Sequence, residues 1–172
     1  MKFRFLFMTP FVCLGQIQIN QDSLNFYFSK ILNQERVTQN LSPVMVDVSL
    51  SSFTTEWTNF MSIYNYLGHG TGATSFTERL RKYRYTEGEW VENCSRIPLS
   101  NLSYMKQSNT KQFIQQYNNG DISQYGLALI VYYIWKNSPP HYQGMMNPNT
   151  KKFYVSTSKS SVGFYFSYLG TD

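Results

Sequence analysis

Close to the C-terminus the apolar residues of this chain change their spacing. Phe153 and Val155 alternate with Tyr154 and Ser156, and Val162, Phe164, Phe166 and Tyr168 alternate with Gly163, Tyr165 and Ser167. A period of two puts one set of side chains on each face of a strand, and the intervening "SKSS" suits a hairpin turn. The earlier segments follow a helical period. Leu24, Tyr27, Phe28, Ile31 and Leu32 fall on one face of a helix that starts near Asp22 or Ser23 and ends near Gln39. Phe53, Trp57, Phe60, Met61 and Tyr64 mark a second helix from about Ser49, broken by the three glycines of "LGHGTG". Helices followed by paired strands define an α+β chain, with an antiparallel sheet covered by helices.

Between these two regions the pattern is more varied. "SFTE" at Ser75 to Glu78 has the form of a capping box and predicts a short helix to about Tyr83. "GEWVENCSRIP" predicts a short extended segment, and "NTKQFIQQYNN" one or two helical turns. "YGLALIVYYIW" is apolar on both faces and predicts a deeply buried helix, ended by Pro139 and Pro140. Aromatics make up 17% of the 172 residues, so some of the 14 tyrosines are expected to sit half-buried or to line a cleft.

The first residues form a separate unit. Lys2 and Arg4 precede an apolar run from Phe5 to Leu14, then Gly15. This is the order of a secretory signal peptide over residues 1–15, with Gln16 as the mature start. The run is too short to span a bilayer, and no other segment is long and apolar enough to do so. The expected location is therefore secreted or periplasmic. Loss of Lys2 and Arg4 lowers the formal charge from +5 to +3, and the remaining basic residues are scattered, which gives no footprint for nucleic acid. The cluster "ERLRKYR", Glu78 to Arg84, is expected to be a solvated helix face. Loss of Cys13 leaves Cys94 alone, so the core rather than a disulfide must hold the domain. Cys94 reads as a small buried apolar side chain, with a nucleophile as the alternative.

Five motifs in this order resemble the CAP superfamily, the SCP-like extracellular domains related to cysteine-rich secretory, antigen 5 and pathogenesis-related proteins, and in particular its bacterial branch. They are "LNQER" with Asn33 and Arg36, the histidine turn "YNYLGHG", "VENCS" in place of Gly-Glu-Asn, "WKNSPPHYQGMMNPN" in place of Trp-x-x-Ser-Pro-Gly-His, and the terminal hairpin. The resemblance covers roughly Leu24 to Thr171 and implies a single domain over residues 22–172. It implies an α/β/α sandwich whose central cleft gathers His69, Glu92 and His141. Many members carry a second glutamate just after the tryptophan; here Lys136, Asn137 and Ser138 follow Trp135.

Two imidazoles and one carboxylate are a three-ligand set that leaves an open position on Zn²⁺. His69, Glu92 and His141 are thus candidate metal ligands and candidate catalytic residues. Two readings follow. One is a non-enzymatic binding or interaction module for a small molecule, lipid, peptide or cell-surface component, its cleft lined by Tyr64, Tyr66, Tyr142 and Met145 or Met146. The other is a Zn²⁺-dependent hydrolase with Glu92 as ligand or base. Without the resemblance, a turn histidine bonded to backbone carbonyls and a glutamate tying loops together account for the same residues.

Overall fold

The structure, a computed structural model, describes residues 17–99, 111–119 and 122–172. Residues 1–15, read above as a signal peptide, lie outside the described residues, as does Cys13.

Helix α1, Gln21–Thr38, is capped by Asn20, whose side chain accepts from the Ser23 amide at 2.8 Å. The cap is thus two residues earlier than Asp22, because Asn20 has the extended backbone a cap needs. Strand β1 is the two residues Met45–Val46. A 3-10 turn at Val48–Leu50, capped by Asp47, leads into α2, Ser51–Tyr64. Helix α3, Phe76–Lys82, is capped by Ser75, and β2 runs over Trp90–Pro98. Helices α4, Lys111–Asn118, α5, Gln124–Lys136, and α6, Pro139–Met145, precede β3, Lys152–Lys159, and β4, Gly163–Thr171.

The sheet order is β1-β3-β4-β2. Strands β2, β4 and β3 pair antiparallel, and β1 adds two residues parallel to β3, so the sheet is mixed at one edge. The segment read as a short extended stretch is a nine-residue strand paired along its whole length with β4.

Both faces of the sheet are covered. Phe153, Val155, Phe164, Phe166, Tyr168 and Ile97 point into one layer with Leu24, Phe28 and Leu32 of α1 and Leu127, Val131 and Trp135 of α5. The opposite parity, Tyr154, Leu169, Tyr165 and Cys94, meets Phe53, Trp57 and Met61 of α2. This is the three-layer α/β/α arrangement, and it explains why every residue of β4 is buried. Each fully buried leucine or phenylalanine contributes about 2 kcal/mol of transfer free energy.

Polar side chains complete the edges that β1 is too short to cover. Asn25 of α1 accepts from the Val155 amide at 2.9 Å and donates to the Val155 carbonyl at 2.8 Å, as a neighbouring strand would. Asn33 makes the same pair of bonds with Val44, both at 2.8 Å. Arg36 is fully buried and donates to the carbonyls of Ser42, Met145, Asn147 and Thr150. It ties the end of α1 to the segment between α6 and β3.

The two prolines do not end α5, which stops at Lys136. They occupy the first positions of α6, where proline's fixed φ fits and its missing N–H has no helical partner to lose. His141 therefore sits in the first turn of a short helix rather than on a turn. Gly144 seats that helix on β2: a Cβ there would lie 2.6 Å from Val91 Cγ1, so only glycine permits this approach. Val91, which stands in place of the glycine of Gly-Glu-Asn, packs against the space that Gly144 leaves.

Candidate functional site

Helix α2 ends at Asn65, which turns the chain with φ at 49°. The next residues form the histidine turn. Trp57 Nε1 donates to the Gly68 carbonyl at 3.0 Å, and the Gly70 amide donates to the Tyr66 hydroxyl at 3.2 Å. Gly70 has φ at 77°, and a Cβ there would fall 2.0 Å from the Thr74 carbonyl oxygen. The tight turn at His69 thus requires glycine at this position.

Across from it, Glu92 of β2 faces the α2 layer, paired in register with Leu169 of β4. His69 Nδ1 and Glu92 Oε2 are 2.8 Å apart. The glutamate side chain is only 1% exposed, whereas the imidazole is half-exposed. Nε2 of His69 has no hydrogen-bond partner among the described residues.

A third residue closes the arrangement. Arg79 of α3 donates from Nη1 to Glu92 Oε1 at 2.7 Å and from Nη2 to Oε2 at 2.8 Å. It also donates to the carbonyls of His69 and Thr74, each at 3.2 Å. Its guanidinium lies 3.8 Å from the centre of the Trp57 ring, which in turn stacks on Phe60 with the planes 8° apart. Bidentate pairing with a carboxylate and stacking on an indole are what a planar guanidinium does well. The expectation that Glu78 to Arg84 is a solvated face holds for Arg81, which pairs with Glu78 in solvent, but not for Arg79, which is buried. The clue lies in its spacing: Phe76, Arg79, Leu80 and Tyr83 share one helical stripe, and that stripe packs inward.

His141 approaches from α6. Asn93, the residue after Glu92, donates to the His141 carbonyl at 2.9 Å. Nδ1 of the His141 ring is buried and makes no hydrogen bond among the described residues. Burial, and then His69, hold this imidazole below its ordinary pKa. Yet the compact group, with ligand-type atoms all within 4.8 Å of one another, is His69, Glu92 and Cys94 rather than the set containing His141. Cys94 Sγ is 3.9 Å from His69 Nδ1. Burial, and then the charge of Glu92, push its thiol well above the ordinary value. A protonated, buried thiol is a poor nucleophile, and Cys94 serves as part of the core beside Trp57 and Met61.

The donor set does not fit a zinc ion. Both oxygens of Glu92 are taken by Arg79, and a metal there would meet a guanidinium that does not deprotonate. Lys136, at the place of the second family glutamate, turns away to α1 and donates to Glu35 at 2.8 Å, while Tyr142 donates to the other Glu35 oxygen at 2.7 Å. Burial opposes ionisation of Glu35, but these two bonds hold its carboxyl below the usual range.

The expected lining residues separate as well. Met145 is fully buried in the α1 layer, and Tyr142 belongs to the Glu35 cluster. Tyr66 packs on Trp57 and Phe60, and Tyr64 lies over Phe60. Ile63, Tyr64 and Leu67 are about half exposed or more. A cavity of about 280 Å³ is walled by Trp57, Phe60, Thr74 and Arg79 and rimmed by Glu56 and Lys82.

The profile of the Cysteine-rich secretory protein family (CAP) matches residues 30–169. The chain belongs to this family. Among solved structures, an outer surface protein from Borrelia burgdorferi is similar over 92% of this chain and 98% of its own, with a TM-score of 0.63 at 16% identity. An extracellular protein containing an SCP domain from Bacillus anthracis gives a TM-score of 0.61 at 14% identity, over 88% of this chain and 41% of that protein. A cysteine-rich secretory protein from Staphylococcus aureus gives 0.56 at 13% identity, over 88% and 39%. No curated protein sequence matches the chain. At these identities the structural likeness establishes the fold, the α+β architecture of CAP domains.

Proposed function

We propose that this chain is an exported CAP domain acting as a non-enzymatic binding module, with its ligand seated beside His69. The observation that carries this reading is the pairing of an immobilised, half-exposed imidazole with an exposed aromatic ledge. His69 is held by Glu92, and Ile63, Tyr64, Tyr66 and Leu67 lie in the segment leading to it. Exposed apolar residues grouped in this way suit a partner with an apolar portion, and the imidazole supplies one oriented polar contact. A small molecule, lipid, peptide or cell-surface component would meet this description.

Hydrolysis has less support. Glu92 is engaged by Arg79 on both oxygens and is not free to act as a metal ligand or as a base toward a substrate. Export is supported by the order of residues 1–15, and among the described residues no helix is long and apolar enough to cross a membrane. Mass spectrometry of the secreted chain should find Gln16 at its start; a chain retained with Met1 contradicts export.

The binding reading is tested by titrating the folded domain with lipid vesicles, cell-wall fragments and a peptide panel, following Trp57 fluorescence. Saturable binding by one of these, weakened at least about tenfold in a Tyr64→Ser, Leu67→Ser double variant, is expected; a tenfold loss corresponds to about 1.4 kcal/mol, ordinary for truncated apolar contacts. Binding unaffected by these changes, or none at all, overturns it.

A further inference from the structure

We infer that Arg79 is a built-in cation that takes the role of a metal ion at His69 and Glu92, so that the site works without metal and recognises a hydrogen-bond donor. Three observations carry this. First, the guanidinium covers the carboxylate: one nitrogen lies 2.7 Å from Oε1 and the other 2.8 Å from Oε2. A divalent ion on either oxygen would sit beside a fixed positive charge, because arginine stays protonated under all folding conditions. Second, Arg79 cannot swing aside at little cost. It is 5% exposed, it donates to the carbonyls of Thr74 and His69, and its guanidinium carbon lies 3.8 Å from the Trp57 ring centre and 5.0 Å from that of Phe53. Moving it would strip four hydrogen bonds and leave Glu92 buried without a partner for its charge. Third, the nitrogen of His69 that points into the cluster is already committed, at 2.8 Å from Glu92.

The consequence for recognition is specific. A carboxylate bonded by a guanidinium accepts from the imidazole, so the proton resides on Nδ1 and Nε2 is left as an acceptor on a half-exposed ring. The matching group on a ligand is a hydroxyl or amide N–H. Arg79 acts through Glu92 and does not touch the ligand; it is a positioning residue. This inference rests on the geometry of the three side chains and holds whether or not the domain binds any of the ligand classes named above.

The test uses the full mature chain and Co²⁺ as the probe, with the visible absorption bands of low-coordinate cobalt as readout and ¹⁵N NMR of His69 as a second measurement. The wild type is expected to show no saturable cobalt bands and a proton on Nδ1. An Arg79→Met variant shown to be folded by circular dichroism is expected to gain a saturable site that is lost again when His69→Ala is added, and to lose the fixed Nδ1 proton. Stoichiometric cobalt binding by the wild type at His69, or a folded Arg79→Met variant that still refuses the ion, overturns the inference. Should Arg79→Met not fold, the wild-type measurements decide: bound cobalt, or His69 carrying its proton on Nε2, rejects it, and their absence upholds it.

Discussion

Among the described residues two arginines, Arg36 and Arg79, are buried on opposite sides of the sheet, and their charges are satisfied in opposite ways. Arg36, in the α1 layer, is fully buried and satisfied by four backbone carbonyls, with no carboxylate among its hydrogen-bond partners. Arg79, in the α2 layer, is neutralised by Glu92 and stacked on Trp57. The first arrangement spreads one charge over the ends of peptide dipoles and serves to pin a loop. The second concentrates charge on one side chain and thereby orients another, His69. Backbone carbonyls cannot pass on a protonation state; a carboxylate that bonds an imidazole can. The contrast separates a residue that holds the fold from one that shapes the site.

Breaking each in turn should sharpen the difference. Arg36→Met leaves four carbonyls to find new partners and is expected to cost about 4 kcal/mol in denaturant unfolding, with the His69 NMR signals unmoved. Equal displacement of His69 would show that the two arginines are not independent. Glu92→Gln strands the Arg79 charge and is expected to cost about 3 kcal/mol, this time with a clear shift of the His69 ¹⁵N signals. A silent His69 would detach it from the cluster.

A smaller effect concerns His141. Its folded-state pKa is depressed by burial and by His69, so the neutral ring is the form that fits. Stability should be fully present above about pH 6.5 and fall as the pH drops below it, because the unfolded chain takes up a proton that the folded chain resists. His141→Gln should flatten this acid limb; an unchanged pH profile contradicts the assignment. Smallest of all, Lys82→Ala removes an exposed pair with Glu56 and should change stability by no more than about 0.5 kcal/mol. A loss similar to that of Glu92→Gln would mean the rim is as consequential as the centre.

Much of the fold was legible because apolar spacing is enforced by burial. The stripes of α1 and α2 and the alternation of β3 and β4 survive as buried faces. What was not legible is set by contacts rather than by period. Strand β1 is two residues long and has no period to read. Helix α6 hides behind Pro139 and Pro140, which end a helix or begin one with equal ease. At the site, the turn of His69 was legible in its glycines, whereas Glu92 was singled out by the family resemblance and not by any period in its segment. Arg79 is camouflaged by its solvated neighbours Arg81 and Lys82, although it shares a stripe with Phe76 and Leu80. The absent second carboxylate was visible at Lys136, but not that this lysine would turn to Glu35.

The central claim is that Arg79, Glu92 and His69 form one closed unit with no place for a metal. A crystal structure of the domain, residues 16–172, grown with excess Zn²⁺ at neutral pH tests it most directly. The account predicts Arg79 still bidentate on Glu92 and no zinc between Glu92 and His69. Zinc bound to either side chain there, with the guanidinium displaced, would contradict it.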